Sequence, residues 1–151
     1  MRKLKVTELN RLTPEAFKES PKIPLVVVLD HIRSLNNVGS VFRTSDAFRV
    51  ESIYLCGITA CPPHVEIHKT ALGAEDSVDW KYFEQVEGSV MLDKLLLDKN
   101  KKYAIIMGNE VKGVQQSVVD KCDMCIEVPQ FGTKHSLNVS VTTGILIWEL
   151  F

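Results

Sequence analysis

Leu25-Val26-Val27-Val28-Leu29-Asp30 decides how the rest of the chain is read. It is a continuous branched aliphatic run closed by a carboxylate, with no polar residue between. A strand with one wet face alternates apolar and polar side chains, so a run apolar on both sides belongs to a strand covered on both faces, as in a parallel sheet. Downstream, Gly39–Phe48 spaces Val41, Phe42, Ser45 and Phe48 at helical intervals, and Ser52–Gly57 reads as a second strand. A weaker strand signal covers Val78–Phe83, and Val90–Leu97 carries a helical stripe through Leu92, Leu95 and Leu96. Tyr103–Met107 is another buried strand, Val114–Lys121 a short helix, and Cys125–Val128 a strand stopped by Pro129. Leu137–Phe151 closes the chain as a helix with Leu137, Val141, Gly144, Ile145 and Trp148 on one face. Alternating strands and helices predict an α/β fold, a mainly parallel sheet with helices on both faces.

Upstream, Thr13-Pro14-Glu15 carries a capping residue, proline at the first helical position and an acid in the first turn, which predicts a helix start. Residues 1–22 form a polar lead of net charge +3, and the rest of the chain is net −4. With 151 residues, 45% of them hydrophobic, and no repeat or linker, residues 23–151 are expected to form a single domain. The longest apolar runs fall well short of the ~20 residues that cross a bilayer, and no export signal follows the basic start. No membrane association is expected, and the cytoplasm is the expected location. The four cysteines, Cys56, Cys61, Cys122 and Cys125, read as reduced and mostly buried. Neither Cys122-x-x-Cys125 nor Cys61 with His64 and His68 completes a zinc ligand set, so no metal is expected. The mild charge asymmetry argues against unaided grip on a long nucleic acid and leaves room for a local RNA contact.

In parallel sheets ligands bind outside the carboxyl ends of the strands, which directs attention to 30–43, 57–75, 108–114 and 129–138. No G-x-G-x-x-G dinucleotide fingerprint and no G-x-S-x-G elbow occurs. Gly108 and Gly113 have P-loop spacing, but Val114 stands where the lysine belongs. Three polar, glycine-bearing segments remain. Asn37-x-Gly39-x3-Arg43 opens a helix. Gly108-Asn109-Glu110-x2-Gly113 leaves a strand. Ser136-Leu137-Asn138-Val139-Ser140-Val141 feeds the last helix, with Ser136 as its expected N-cap. Taken singly, each is equally well a cap or a tight turn.

In this order and spacing the three segments resemble the motifs of the SpoU branch, including TrmH-like enzymes, of the SPOUT RNA methyltransferases. The similarity covers residues 25–150, and Lys69–Ala74 is similar to the family's intermediate segment. The resemblance implies a C-terminal deep trefoil knot, a homodimer, and transfer of the S-adenosylmethionine methyl group to a ribose 2′-hydroxyl of tRNA or rRNA. The wording of the motifs is closer to TrmH-type enzymes, which favours tRNA. Carried over by position, Gly108, Asn109, Val128 and Leu137 hold the cofactor, with glycine at 108 for close backbone approach. Arg43 is the essential residue. Asn37 positions Arg43 or the ribose, Glu110 orients the substrate side, and Ser136 and Asn138 fix the third loop. The family proposal of the arginine as base is physically awkward, since a guanidinium is effectively never deprotonated. An RNA phosphate held by Arg43 could take the proton, or Arg43 could stabilise the developing alkoxide. The last helix with Trp148, and the helix from Gly39, are candidate dimer surfaces. The rival readings are a non-catalytic RNA-binding or assembly protein that retains the fold, a base methyltransferase, and an unrelated flavodoxin-like binding domain.

Overall fold

Ile23–Asp30 (β1), Val50–Cys56 (β2), Trp80–Phe83 (β3) and Tyr103–Met107 (β4) pair in the order β3-β2-β1-β4, all parallel. The computed structural model describes residues 11–84, 101–128, 132–133 and 136–151. The chain adds strands outward from β1 to β3 and then returns to place β4 on the other side of β1. Strand order therefore reverses between β1 and β4, and the loops leaving those two strands flank the crevice where α/β sheets bind ligands.

Side chains alternate across the sheet as the pleat requires. Leu25, Val27, Leu29, Ile53, Leu55, Ile105 and Met107 point into the main core, while Val26, Val28 and Cys56 form a smaller cluster on the opposite face with Tyr54, Ala104 and Ile106. The helices that build the main core are Pro14–Glu19 (α1), Leu35–Ala47 (α2), Val65–Ala71 (α3), Ala74–Ser77 (α4) and Val139–Leu150 (α6). A further short helix, Gln116–Val119 (α5), follows β4. Helices on both faces were expected; the five helices of the main core all cover one face, and the helix expected over Val90–Leu97 lies outside the described residues.

The capped start at Thr13 is present, its hydroxyl accepting from the Ala16 amide, and α1 buries Phe17 in the main core. Three expectations need correction. Helix α2 begins at Leu35 rather than Gly39, because Ser34 caps it by accepting from the Asn37 amide. Asn37 is thus in the first turn, not in a preceding loop. Helix α6 is capped by Asn138 rather than Ser136, the Asn138 carboxamide oxygen accepting from the Ser140 amide. Cys125–Val128 is not a strand: it pairs with no neighbour among the described residues, and Cys125, Ile126 and Glu127 are exposed. A strand exists only with a ladder partner, and β-branched residues alone do not supply one.

Helix α6 is apolar on two sides. Val139, Thr143 and Ile147 point inward at four-residue intervals, and the stripe read from the sequence, Val141, Ile145 and Trp148, faces out. Trp148 is 68% exposed and meets Phe48 edge-on. The residues between β2 and β3 hold α3 and α4, which sequence periodicity did not mark. The signal was there in His64, whose ring accepts from the Glu66 amide as N-cap, and in the buried pair Ile67 and Ala71. None of the described helices is long and apolar enough to cross a membrane.

Candidate active site

Glu110 follows β4 by three residues, and its carboxylate faces the start of α2. It accepts from the backbone amides of Arg33 at 3.3 Å and Ser34 at 3.4 Å, and from Asn37 Nδ2 at 3.2 Å. A carboxylate only accepts, so Asn37 must present its NH2 to Glu110 and its Oδ1 to the other side. There Asn138 Nδ2 donates to it at 3.1 Å. Asn138 is left with Oδ1 free for its capping role, accepting from the Ser140 amide at 2.9 Å and the Ser140 hydroxyl at 2.6 Å. One directional chain, Asn138 to Asn37 to Glu110, therefore joins the third, first and second sequence segments, which are far apart in the chain.

Partial burial alone would raise the Glu110 carboxyl. The hydrogen bonds from its own backbone amide, Arg33, Asn37 and Ser34 outweigh it and hold the group below its ordinary value of 4.5. A depressed carboxyl pKa contributes stability above the unfolded value, lost as pH falls through the folded one. Glu110→Gln should therefore flatten the acid side of the stability curve, with the two proteins converging once the carboxyl is protonated in both the folded and the unfolded state. Urea unfolding at stepped pH measures this; parallel curves would place Glu110 outside the network.

Gly108-Asn109-Glu110-Val111-Lys112-Gly113 closes on itself. The Asn109 amide donates to the Gly113 carbonyl at 3.1 Å and the Gly113 amide returns the bond at 2.8 Å. Asn109 Oδ1 accepts from Val111 and Lys112 amides, while its Nδ2 donates to the His31 carbonyl at 2.9 Å, tying the loop to the end of β1. Glycine at 108 has a reason the sequence did not reveal: a Cβ there would lie 2.2 Å from the Val114 nitrogen, so the returning loop itself demands it. Gly113 sits at φ +71°, a left-handed turn position.

Not every expected residue joins this network. Arg43 is exposed on α2 and makes no hydrogen bond or ion pair among the described residues. Ser136 is exposed and takes no part in the capping it was expected to provide. Leu137, 41% exposed, and the half-buried Val128 leave apolar surface open in the segment before α6 and in the segment after α5. Sequence reading passed over a further group beside the site. Asp30, at the end of β1, is 1% exposed, and its Oδ1 lies 2.6 Å from Nδ1 of the neighbouring His31. Two polar residues ending a strand gave no motif, so only the fold brings them to notice.

The sequence profile of the SpoU rRNA methylase family matches residues 24–96 and 85–148, which spans all three site segments. The chain belongs to the SpoU methylase family. The chain is 30% identical over 144 residues to the 23S rRNA (guanosine-2′-O-)-methyltransferase RlmB of Blochmanniella floridana, covering 84% of this chain and 57% of that one. An uncharacterized tRNA/rRNA methyltransferase of Borreliella burgdorferi is 29% identical over 155 residues, covering 90% of this chain and 67% of the relative. Among solved structures, an rRNA methyltransferase from Sinorhizobium meliloti superposes with TM-score 0.71 at 26% identity, over 89% of this chain and 58% of that chain. An AdoMet-bound rRNA methyltransferase from the same organism shares the fold, with TM-score 0.74 at 24% identity, over 93% of this chain and 60% of that chain. The SpoU chain thus spans roughly three-fifths of the length of these relatives.

Proposed function

We propose that this SpoU-family chain is the catalytic domain, residues 23–151 behind a lead of residues 1–22, of an S-adenosylmethionine-dependent RNA methyltransferase. Its acceptor is a ribose 2′-hydroxyl, on tRNA ahead of rRNA. The observation that carries this reading is the Asn138–Asn37–Glu110 chain, which gathers the three family segments at the crevice where strand order reverses. The RlmB relative is a guanosine-2′-O-methyltransferase, which supports the 2′-O assignment, and the TrmH-like wording of the motifs supports tRNA.

The residues present fit the cofactor. Leu137 and Val128 offer apolar surface to an adenine face, and the closed loop over Gly108 and Asn109 brings backbone rather than side chain to the same end of the sheet. When bound, S-adenosylmethionine supplies an electrophilic methyl group. The chain's part is positioning, which accounts for much of the rate of a displacement reaction. Glu110 stays ionised and locks the Arg33–Ser34 backbone and Asn37. Asn37 in turn fixes Asn138 and so the start of α6. Arg43, exposed and without a partner among the described residues, is free to bind an RNA phosphate or the oxygen that loses its proton. Ser136, beside Leu137 and equally exposed, is available to the third loop's ligands.

A homodimer with the C-terminal segment threaded as a trefoil knot completes the proposal. The outward apolar stripe of α6, Val141, Ile145 and Trp148, supports the dimer, since contiguous exposed apolar surface marks an association face. The test is methyl transfer from labelled S-adenosylmethionine to unmodified tRNA and rRNA, with the nucleoside product identified by mass spectrometry. A 2′-O-methylnucleoside on tRNA is the expected product. A methylated base, or product on rRNA alone, would replace the corresponding part of the reading, and cofactor-independent RNA binding without product would favour a non-catalytic role.

A further inference from the structure

The exit of β1 is held from a side that carries no family motif. Thr59, in the segment after β2, is 2% exposed, and its amide donates to the Cys56 carbonyl at 3.2 Å. Its hydroxyl accepts from the Ile32 amide at 3.0 Å and donates to the Leu29 carbonyl at 2.9 Å. The roles are forced: an amide only donates and a carbonyl only accepts, so the one hydroxyl proton goes to Leu29. Leu29 and Ile32 are themselves buried, so solvent does not reach either group to take the hydroxyl's place.

Residues 29 and 32 stand in the first and fourth places of a four-residue turn, where the carbonyl and the amide commonly bond each other. Here the hydroxyl is inserted between them, and the turn is held open. Its central pair is Asp30 and His31, with His31 in the left-handed region at φ 57°, a strained position that persists where the surroundings enforce it. On its other side the opened turn meets the second family segment. The His31 carbonyl accepts from Asn109 Nδ2 at 2.9 Å, and the Arg33 and Ser34 amides reach Glu110 at 3.3 and 3.4 Å. Residues 31–34 therefore hang between the Thr59 hydroxyl and the Asn109–Glu110 loop.

We propose that Thr59 is a positioning residue of the methyl-transfer site, its buried hydroxyl holding the β1 exit at the spacing that lets the His31 carbonyl and the Arg33 and Ser34 amides fix Asn109 and Glu110. This rests on the methyltransferase reading above. The hydroxyl, not the volume of the side chain, is what acts. Valine has the branching of threonine but can neither give nor take a hydrogen bond. Without the hydroxyl, the Leu29 carbonyl and the Ile32 amide lose their partner in a buried place and satisfy each other only by closing the turn. Closure draws residues 31–34 away from the loop, so the fold survives while Asn109 and Glu110 lose their backbone partners.

Thr59→Val, Thr59→Cys and Thr59→Ser test it on the full chain. The first readout needs no activity: carbon NMR titration of the Glu110 carboxyl, which its donors hold below 4.5. In Thr59→Val it should rise toward that value as the Arg33 and Ser34 amides recede, a change that lost packing elsewhere does not produce. Single-turnover methyl transfer should fall by at least ~10-fold in the same protein. Thr59→Ser keeps the hydroxyl and should restore both. Thr59→Cys, whose thiol is a weak donor and acceptor, should fall between, and it carries the test where the valine variant does not fold. Unchanged Glu110 titration or an unchanged rate in the folded valine or cysteine variant overturns the proposal, as does a loss of either in Thr59→Ser. Absence of methyl transfer by the unaltered protein overturns the functional reading, while the Glu110 titration still decides whether Thr59 sets the loop.

Discussion

Arg43→Ala is expected to reduce methyl transfer by about 1000-fold while leaving the fold and cofactor affinity intact. The separation of effects follows from where the side chain stands. Arg43 is exposed on the third turn of α2 and makes no hydrogen bond or ion pair among the described residues. Truncating such a side chain changes stability by no more than ~0.5 kcal/mol. Its guanidinium is therefore available to ligands, and a charge aimed at an oxygen that becomes negative as reaction proceeds is the kind of interaction whose loss appears in kcat. Arg43→Lys should recover little, since an ammonium lacks the planar fork that binds a phosphate or ribose oxygen at two points. Single-turnover transfer, with thermal unfolding and cofactor binding measured on the same preparations, reads all three. A lowered melting temperature in Arg43→Ala would assign the residue to structure; unchanged turnover would remove it from the site.

The elements that sequence reading placed well are those whose stability is local or fully buried. The aliphatic run of β1 is surrounded by core, and Tyr103–Met107 sends side chains into both apolar clusters, so their composition alone betrays them. The Thr13 cap is likewise a local contact. Misplacements arose where a long-range partner decides. Whether Cys125–Val128 becomes a strand depends on a ladder neighbour that composition does not show. Two segments each contained more than one residue able to cap, and Ser34 and Asn138 are the ones tied by tertiary hydrogen bonds, to Glu110 and Asn37. In α6 both faces are apolar, so periodicity could not say which one meets α2. For the site, motif resemblance named Asn37, Glu110 and Asn138 but not the bonds between them. The Asp30–His31 contact was invisible because it depends on Asp30's burial and on a positive φ at His31, neither of which a sequence displays.

Gly39→Ala inverts the usual sign of a helix substitution. In the interior of an exposed helix, replacing glycine by alanine stabilises by ~0.5–1 kcal/mol through lost unfolded-state freedom. At Gly39 the new Cβ would lie 2.2 Å from the Ile67 carbonyl oxygen, 2.2 Å from Thr70 Oγ1 and 3.0 Å from the Ala71 nitrogen. Two of these are backbone atoms of α3. The third cannot swing away at no cost, because the Thr70 hydroxyl shares its one proton between the carbonyls of Asn36 at 3.0 Å and Ile67 at 3.3 Å. Relief requires α3 to move off α2, which pulls apart the buried Val38, Phe42, Ile67 and Ala71. Overpacking of this kind costs about 3 kcal/mol, a fall in melting temperature of roughly 10 °C for a chain of this size. The Thr70–Asn36 bond would be strained in the same movement, and the neighbouring Asn37 carries the link to Glu110 and Asn138, so cofactor binding should weaken as well. Gly144→Ala is the matched control: its Cβ would meet only Thr44 Cγ2 at 3.8 Å, an ordinary contact. That substitution should hold or raise the melting temperature by the normal helix gain. Equal behaviour of the two variants would mean that α2 and α3 do not approach at Gly39, and that the glycine of the first motif serves the ligand rather than the packing.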